Sequence, residues 1–146
     1  MEDPGGAAWF VLLGLLGLRS RATRGTLIRE AALPMAVAGG LVELPIKSYF
    51  GRRRPFISII QAMVIGKKPG GWSFPSGHSA VAFAGARLLS PKYPRWSLAT
   101  YTTASLVAFA RINLGDHYPG DVASGSILGV LFAMGISRIV RPRKTR

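Results

Sequence analysis

The 146-residue chain is 49% hydrophobic and carries a formal net charge of +13, with 19 Lys and Arg against six Asp and Glu. The absence of cysteine excludes disulfides, thiolate catalysis and cysteine-ligated metal within the chain, and the basic residues flank apolar blocks instead of forming the single stripe typical of nucleic-acid binding. No Pro/Gly/Ser-rich linker divides the sequence, so we expect one domain over residues 1–146.

Five apolar segments and one shorter stretch are predicted to form helices. The segments are 7–18, 26–46, 78–90, 96–113 and 121–140, and the short stretch is 56–66. A helix needs about 20 residues to cross a hydrocarbon core of ~30 Å, so the second and fifth segments are long enough and the first and third are marginal. The pattern predicts an all-α, integral-membrane bundle of five to six helices. The stretch 56–66 is too short to span and is expected to be a short interfacial helix, with an ordinary packing helix as the alternative.

Small residues recur at positions where helices in a membrane would approach one another. Ala80 and Ala84 are four residues apart, as are Gly125 and Gly129. Such spacing allows two helix backbones to come close, which predicts compact packing.

The loop charges predict an orientation, because Lys and Arg accumulate on the cytoplasmic side of a membrane. When successive loops are placed on alternate sides of the membrane, twelve of the 19 Lys and Arg residues fall on one side and seven on the other. The amino terminus is then expected outside, and segment 7–18, whose acidic start is unlike a signal peptide, is expected to be retained. The three polar clusters described next fall on the side with seven. We therefore expect a multi-pass membrane protein with its site on the non-cytoplasmic face.

The first polar cluster lies at the end of the second segment and runs from Lys47 to Pro55. Lys47 and Arg54 are seven residues apart, so two helical turns would bring both to one face, where they would hold one anion. Gly51 and Pro55 predict that the helix ends or bends nearby. A snorkelling basic cluster at the membrane edge is the alternative when this cluster is taken alone.

The second cluster, from Ser73 to Ser79, directly precedes the third segment. Ser76 is predicted to cap the helix that follows. The amino terminus of a helix directs unpaired N–H groups and partial positive charge outward, so Gly77 and His78 are expected to lie in an anion site. An ordinary capped helix with an incidental histidine is the alternative.

The third cluster, from Arg111 to Asp121, connects the fourth and fifth segments. Pro119 disfavours a continuous helix through His117, so the histidine is predicted in a loop and Asp121 at the start of the last helix. A carboxylate there can accept from one ring nitrogen, which fixes the tautomer and leaves the other nitrogen free to attack. A plain capping role for Asp121 is compatible with this arrangement.

Together the clusters resemble the signature of the type 2 phosphatidic acid phosphatase superfamily: Lys-x6-Arg-Pro, Pro-Ser-Gly-His and Ser-Arg-x5-His-x3-Asp. Ten positions agree in type, spacing and order: Lys47, Arg54, Pro55, Pro75, Ser76, Gly77, His78, Arg111, His117 and Asp121. The serine of the third motif is Ala110 here, which removes a neutral hydrogen bond worth about 1 kcal/mol, so activity is expected to survive. Family members usually have a six-helix core, so the resemblance leads us to expect that one helix before the first motif is missing or shortened.

The resemblance implies a membrane phosphatase that needs neither metal nor cofactor and acts on a phosphomonoester or diphosphate of a lipid. Phosphatidic acid, phosphatidylglycerol phosphate and polyprenyl phosphates or diphosphates all fit. His117 would attack phosphorus to form a phosphohistidine, Asp121 would orient it, and His78 would protonate the leaving group. The phosphoryl oxygens would be held by Lys47, Arg54, Arg111 and the backbone N–H groups of Ser76, Gly77 and His78.

Two alternatives accompany this interpretation. Vanadium-dependent haloperoxidases share the pocket, but they are soluble and much longer. A catalytically silent membrane protein that binds lipid phosphate or acts as a scaffold is the other alternative, and Ala110 is the only sequence feature in its favour. The presence of His78, His117 and Asp121 argues against it.

Overall fold

The computed structural model of the chain describes residues 25, 27–55 and 70–140, which form four helical rods and no strand. The first rod, residues 28–50, joins a π-helical turn (Ile28–Ala32), α1 (Leu33–Leu41), a second π-helical turn (Val42–Ile46) and α2 (Lys47–Phe50). The other rods are α3 (Gly77–Leu89), α4 (Ser97–Asn113) and α5 (Pro119–Val140), and a 3₁₀ turn (Pro94–Trp96) precedes α4.

These bounds confirm the predicted all-helical class for the described residues and place helices at four of the predicted segments. The first rod continues to Phe50, beyond the predicted end at 46. Segments 7–18 and 56–66, including the expected interfacial helix, lie outside the described residues. Within the described part of the chain, one helix is long and apolar enough to cross a membrane, at Pro119–Ile139 in α5.

Each π-helical turn of the first rod contains a proline or is followed directly by the helix turn that contains one. Pro45 lies inside Val42–Ile46, and Pro34 lies in the first turn of α1, directly after Ile28–Ala32. Proline lacks an N–H group and its ring crowds the carbonyl four residues earlier, so the turn widens. The rod therefore passes two prolines without ending, and it places Lys47 in its last turn.

α3 lies at the centre of the bundle and contacts each of the other three rods. Nine of its 13 residues are buried, and most of these are alanine or glycine. The buried cluster around it includes Leu27, Met35, Ala104 and Ala133 from the other rods. Contact with three neighbouring rods leaves little room for side chains, which explains why alanine and glycine predominate among its buried residues.

The backbones of α3 and α5 touch where the sequence has glycine. A Cβ atom at Gly125 would overlap the main-chain oxygen of Ser76, and one at Gly129 would overlap that of Ala80. The close approach that the small residues predicted is therefore confirmed for this pair of helices. It also holds the start of α3 against the start of α5.

Many large apolar side chains of the described helices point outward. Those exposed are Ile28, Leu33, Val37, Leu41 and Leu44 on the first rod, Leu98, Leu106 and Phe109 on α4, and Ile127, Leu131 and Ile139 on α5. Small residues inside and large apolar residues outside reverse the arrangement of a water-soluble bundle. A lipid environment favours this arrangement. Large apolar side chains are as stable in contact with lipid as in a protein core, and small residues allow the helices to pack closely.

Gly129→Ala is expected to lower the free energy of unfolding by about 1–3 kcal/mol, because the added methyl group meets main chain. Gly135→Ala is the matched control on the same helix, since nothing lies within 4 Å of a Cβ there. The control is expected to leave stability unchanged or to raise it by about 0.5–1 kcal/mol. Thermal unfolding in one detergent measures both variants, and equal Tm values would contradict backbone contact between α3 and α5.

Candidate active site

The end of the first rod positions the first motif. Gly51 adopts a left-handed conformation (φ 55°), which a residue without Cβ accepts readily, and the helix stops at Phe50. Arg54 therefore reaches the site from a non-helical segment, which is held in place by the hydrogen bond from Ser73 N–H to Arg52 O (2.8 Å). The prediction that two helical turns align Lys47 with Arg54 is wrong, although both side chains are buried.

The guanidinium of Arg54 is buried among acceptors that lie just before the second motif and in the third. It donates to the carbonyl oxygens of Gly70 (3.0 Å), Gly71 (3.3 Å) and Asp116 (3.1 Å). Its Nη1 also lies 3.4 Å from Nε2 of His117. Because a guanidinium only donates, Nε2 is the acceptor of this pair and carries a lone pair.

The opposite nitrogen of the His117 ring fixes the tautomer. Nδ1 lies 2.7 Å from the carbonyl oxygen of Ser73, which only accepts, so Nδ1 carries the proton. The carboxylate of Asp121 is farther away, with 3.9 Å between Nδ1 and Oδ2. The prediction that this carboxylate accepts directly from the ring is therefore corrected: the carbonyl of Ser73 takes that role, and Asp121 lies behind it. His117 itself lies in the loop before α5, as predicted.

The carboxylate of Asp121 is fully buried in the first turn of α5, which confirms its predicted place at the helix start. Arg52 Nη1 donates to Oδ1 (2.8 Å), and Oδ2 accepts from the Ser73 hydroxyl and from the Tyr118 N–H (2.9 Å). The Arg52 guanidinium also lies 4.2 Å from the centre of the Tyr118 ring. These contacts neutralise a charge that burial alone would make very unfavourable.

The third motif closes around a tight turn after α4. Arg111 is buried in the last turn of that helix, and its carbonyl oxygen accepts from the N–H groups of Asp116 (3.2 Å) and His117 (3.3 Å). Gly115 at φ 70° allows the chain to reverse here. The Asp116 carboxylate lies 3.6 Å from Nη1 of Arg111 and pairs with that cation at the end of α4.

The second motif forms the start of α3. Ser76 is the N-cap, as predicted, and its hydroxyl accepts from the Ser79 N–H (3.4 Å). The N–H of Ser76 donates to the main-chain oxygen of Asp121 (2.9 Å). The expectation that this N–H contacts phosphate is therefore corrected, and Ser76 links α3 to α5 instead. Gly77 and the half-buried His78 occupy the first turn of α3.

Lys47 is paired with an acid that the sequence interpretation did not use. Its Nζ lies 2.6 and 2.8 Å from the two carboxylate oxygens of Glu43, one turn earlier on the first rod. The same carboxylate lies against Gly77, where a Cβ atom would overlap its Oε1. The first motif and the start of α3 therefore meet through Glu43.

The three polar clusters thus converge at one end of the bundle. The family model of the PAP2 superfamily matches residues 27–145, which include all three. The chain belongs to the PAP2 superfamily.

Curated relatives of this PAP2 chain include a lipid A 1-phosphatase from Porphyromonas gingivalis, 37% identical over 111 residues, and an undecaprenyl-diphosphatase from Sulfolobus acidocaldarius, 29% identical over 122 residues. The alignments cover 73% and 83% of this chain but only 22% and 58% of the two relatives.

Solved PAP2 structures share the fold. Aquifex aeolicus LpxE matches with a TM-score of 0.69 at 28% identity, over 91% of this chain and 78% of that chain. A transmembrane PAP2 type phosphatidylglycerolphosphate phosphatase from Bacillus subtilis also has a TM-score of 0.69, at 24% identity, over 96% of this chain and 74% of that one. The helical arrangement of this PAP2 chain is therefore the fold of a transmembrane member of the superfamily.

Three residues of the PAP2 site escaped sequence reasoning: Glu43, Arg52 and Ser73. Glu43 precedes Lys47 by four residues, and that spacing on a helix was a usable signal. Arg52 and Ser73 contact Asp121 across 69 and 48 residues of sequence, and no local pattern indicates such pairs.

The pair of Arg52 and Asp121 can be tested by a double-mutant cycle. Arg52→Gln is expected to lower the free energy of unfolding by about 1–3 kcal/mol, because it leaves a buried carboxylate without its cation. Asp121→Asn in the same chain is expected to restore part of this loss, giving a coupling energy of about 1–3 kcal/mol. The exposed neighbour Arg53 supplies the control, and Arg53→Gln is expected to change stability by less than about 0.5 kcal/mol. Additive effects of the two site variants would contradict direct pairing.

Proposed function

We propose that the chain is a membrane-embedded, metal-independent lipid-phosphate phosphatase that forms a phosphohistidine at His117. The observation that carries this proposal is the lone pair on Nε2, 3.4 Å from the buried guanidinium of Arg54 and oriented by the bond from Nδ1 to Ser73. A phosphoryl oxygen that replaces Nε2 as the acceptor of Arg54 Nη1 frees this lone pair and has its phosphorus next to Nε2. Relatives named lipid A phosphatase and undecaprenyl-diphosphatase favour this function over the haloperoxidase alternative.

In the first step Nε2 of His117 attacks phosphorus in line with the departing oxygen. The P–N bond forms as the P–O bond to the lipid breaks, and His78 gives a proton to the departing oxygen. Charge on the non-bridging oxygens is neutralised by Lys47, Arg54, Arg111 and the N–H groups of Gly77 and His78 at the start of α3. This cluster of cations does the electrostatic work that a metal ion does in other phosphatases.

In the second step water attacks the phosphohistidine. His78, left neutral by the first step, takes a proton from the water, and the P–N bond breaks to release inorganic phosphate. The ring of His117 carries positive charge in the intermediate. Two groups on the Nδ1 side of the ring stabilise that charge. They are the carbonyl of Ser73 and the carboxylate of Asp121, whose Oδ2 lies 3.9 Å from Nδ1.

The surroundings of the site fit a lipid substrate held at a membrane surface. Tyr49, Phe50 and Trp72 are exposed beside the first motif, and the outer faces of the rods carry large apolar side chains. Phosphatidic acid, phosphatidylglycerol phosphate, polyprenyl phosphates or diphosphates and lipid A share the phosphate group that this site would bind. The tail then contributes apolar contact, and the phosphate contributes the specific recognition.

Phosphate release by the detergent-purified chain in EDTA tests the reaction. The chain is expected to release inorganic phosphate from at least one of these lipids, because the cations of the site replace a metal. His117→Asn is expected to lower kcat at least about 1,000-fold with an unchanged Tm, since loss of a nucleophile removes the covalent route. No release from any of the lipids would sink the enzyme proposal, and binding without release would favour the silent alternative. Activity retained by the variant would show that another group is the nucleophile.

We further propose that residues 1–146 form one multi-pass membrane domain with the site on the non-cytoplasmic face. The first rod and α4 end near the site, whereas α3 and α5 begin there, so the opposite end of the bundle carries the turn between α3 and α4. That turn contains Lys92 and Arg95. The excess of Lys and Arg in loops assigned to this opposite side supports its cytoplasmic position.

Single cysteines in the cysteine-free chain test this orientation. Gly70→Cys, beside Arg54, is expected to react with a membrane-impermeant maleimide on intact cells, because residue 70 is exposed at the site. Arg95→Cys, exposed at the opposite end, is expected to react only after the membrane is permeabilised. The reverse labelling pattern would place the site in the cytoplasm.

A further inference from the structure

The carboxylate of Glu43 binds one group that the proposed mechanism assigns to phosphate, Lys47, and lies beside a second, Gly77. Both of its oxygens contact Nζ of Lys47, at 2.6 and 2.8 Å. One of them also lies against Gly77, the first residue of α3, at the end of the helix where N–H groups point outward. The two carboxylate oxygens of Glu43, which share one negative charge, therefore resemble two oxygens of a bound phosphoryl group.

The two partners of this ion pair differ in exposure. The side chain of Lys47 is 8% exposed, whereas that of Glu43 is 49% exposed. Lysine is therefore fixed in the site, and the glutamate reaches it from the open side. Rotation about the side-chain bonds of Glu43 would move its carboxylate into solvent without disturbing the first rod.

Displacement of this carboxylate by phosphate is energetically accessible. Ion pairs one helical turn apart, with one partner half exposed, change an equilibrium constant by less than about tenfold. A phosphoryl group brings more negative charge and contacts Arg54 and Arg111 as well. It therefore outcompetes the glutamate for Lys47.

Resting on the proposed function, we propose that Glu43 is the residue that the substrate phosphoryl group displaces from Lys47 and that returns to Lys47 as inorganic phosphate leaves. Glu43 thus acts as a built-in competitor. It weakens binding of the phosphate product and sets the affinity of the site for phosphorylated lipids. Removal of its charge should tighten phosphate binding, whereas a glutamate that merely positioned Lys47 would give the opposite result.

Calorimetric titration of the full chain in detergent with inorganic phosphate measures this competition without requiring turnover. Glu43→Gln is expected to lower the Kd for phosphate by about three- to fivefold, because the neutral amide no longer competes for the lysine. Glu43→Asp, which keeps the charge on a shorter side chain, is expected to give an intermediate Kd. In steady-state kinetics Glu43→Gln is expected to lower KM and to strengthen product inhibition.

Two further variants make the result specific. Glu30→Gln is the matched control, since Glu30 lies on the same rod and forms a 2.6 Å ion pair with Lys92, far from the site. Its Kd is expected to stay within twofold of the parent chain. In a Lys47→Met background, Glu43→Gln is expected to leave the Kd unchanged, because the shared partner is gone.

Each other outcome overturns the competitor role. A higher Kd in Glu43→Gln would show that the glutamate supports phosphate binding, and an unchanged Kd would show that it is an ordinary surface pair. If lipid phosphate is hydrolysed while the variants bind phosphate alike, only the role of Glu43 fails. If the chain neither binds phosphate nor releases it from lipids, the proposed function fails as well.

Discussion

One buried negative charge determines the geometry of this site. The carboxylate of Asp121 has no exposure to solvent, so it is stable only where other groups neutralise it. Its partners come from three stretches of sequence: Arg52 after the first rod, Ser73 before α3, and Tyr118 before α5. The requirement to satisfy one carboxylate draws these stretches to one point. Because the Ser73 hydroxyl is held there, the Ser73 carbonyl faces His117 and fixes the proton on Nδ1, which leaves Nε2 unprotonated.

The interior of the bundle supplies the rigidity that this arrangement needs. α3 is lined by alanine and glycine, and α5 meets it through glycines that leave no space between the two backbones. Small side chains have few rotamers, so a core built from them is defined chiefly by the main chain. The groups at the start of α3 and α5 are therefore placed by helix position more than by side-chain packing. Such placement suits chemistry in which displacements near 1 Å matter.

Local patterns in the sequence predicted the helices, the capping role of Ser76 and the loop position of His117, because each depends on neighbouring residues. The family resemblance, and not a local pattern, implied that the three motifs form one site. Relations between distant residues were missed or mistaken. The first rod ends at Gly51 by a left-handed turn, so Arg54 arrives by a non-helical segment instead of a helix face. The partner of the His117 ring is a backbone carbonyl, a group present at every position and therefore invisible to motif reasoning. The role of Arg52 depends on a contact across 69 residues.

In the membrane-embedded domain that we propose, the contact of Gly125 and Gly129 with α3 limits how these two helices can move in the bilayer. Two helices whose main chains touch slide only in steps of about one residue, or ~1.5 Å, and each step would bring a glycine out of register. In a membrane of different thickness, both helices therefore tilt together as one rigid body and do not slide past each other. The distance between the His78 turn and the Asp121 turn stays constant during such tilting. Differences in acyl-chain length or sterol content therefore alter how the protein sits in its membrane, while the chemistry at its surface is preserved.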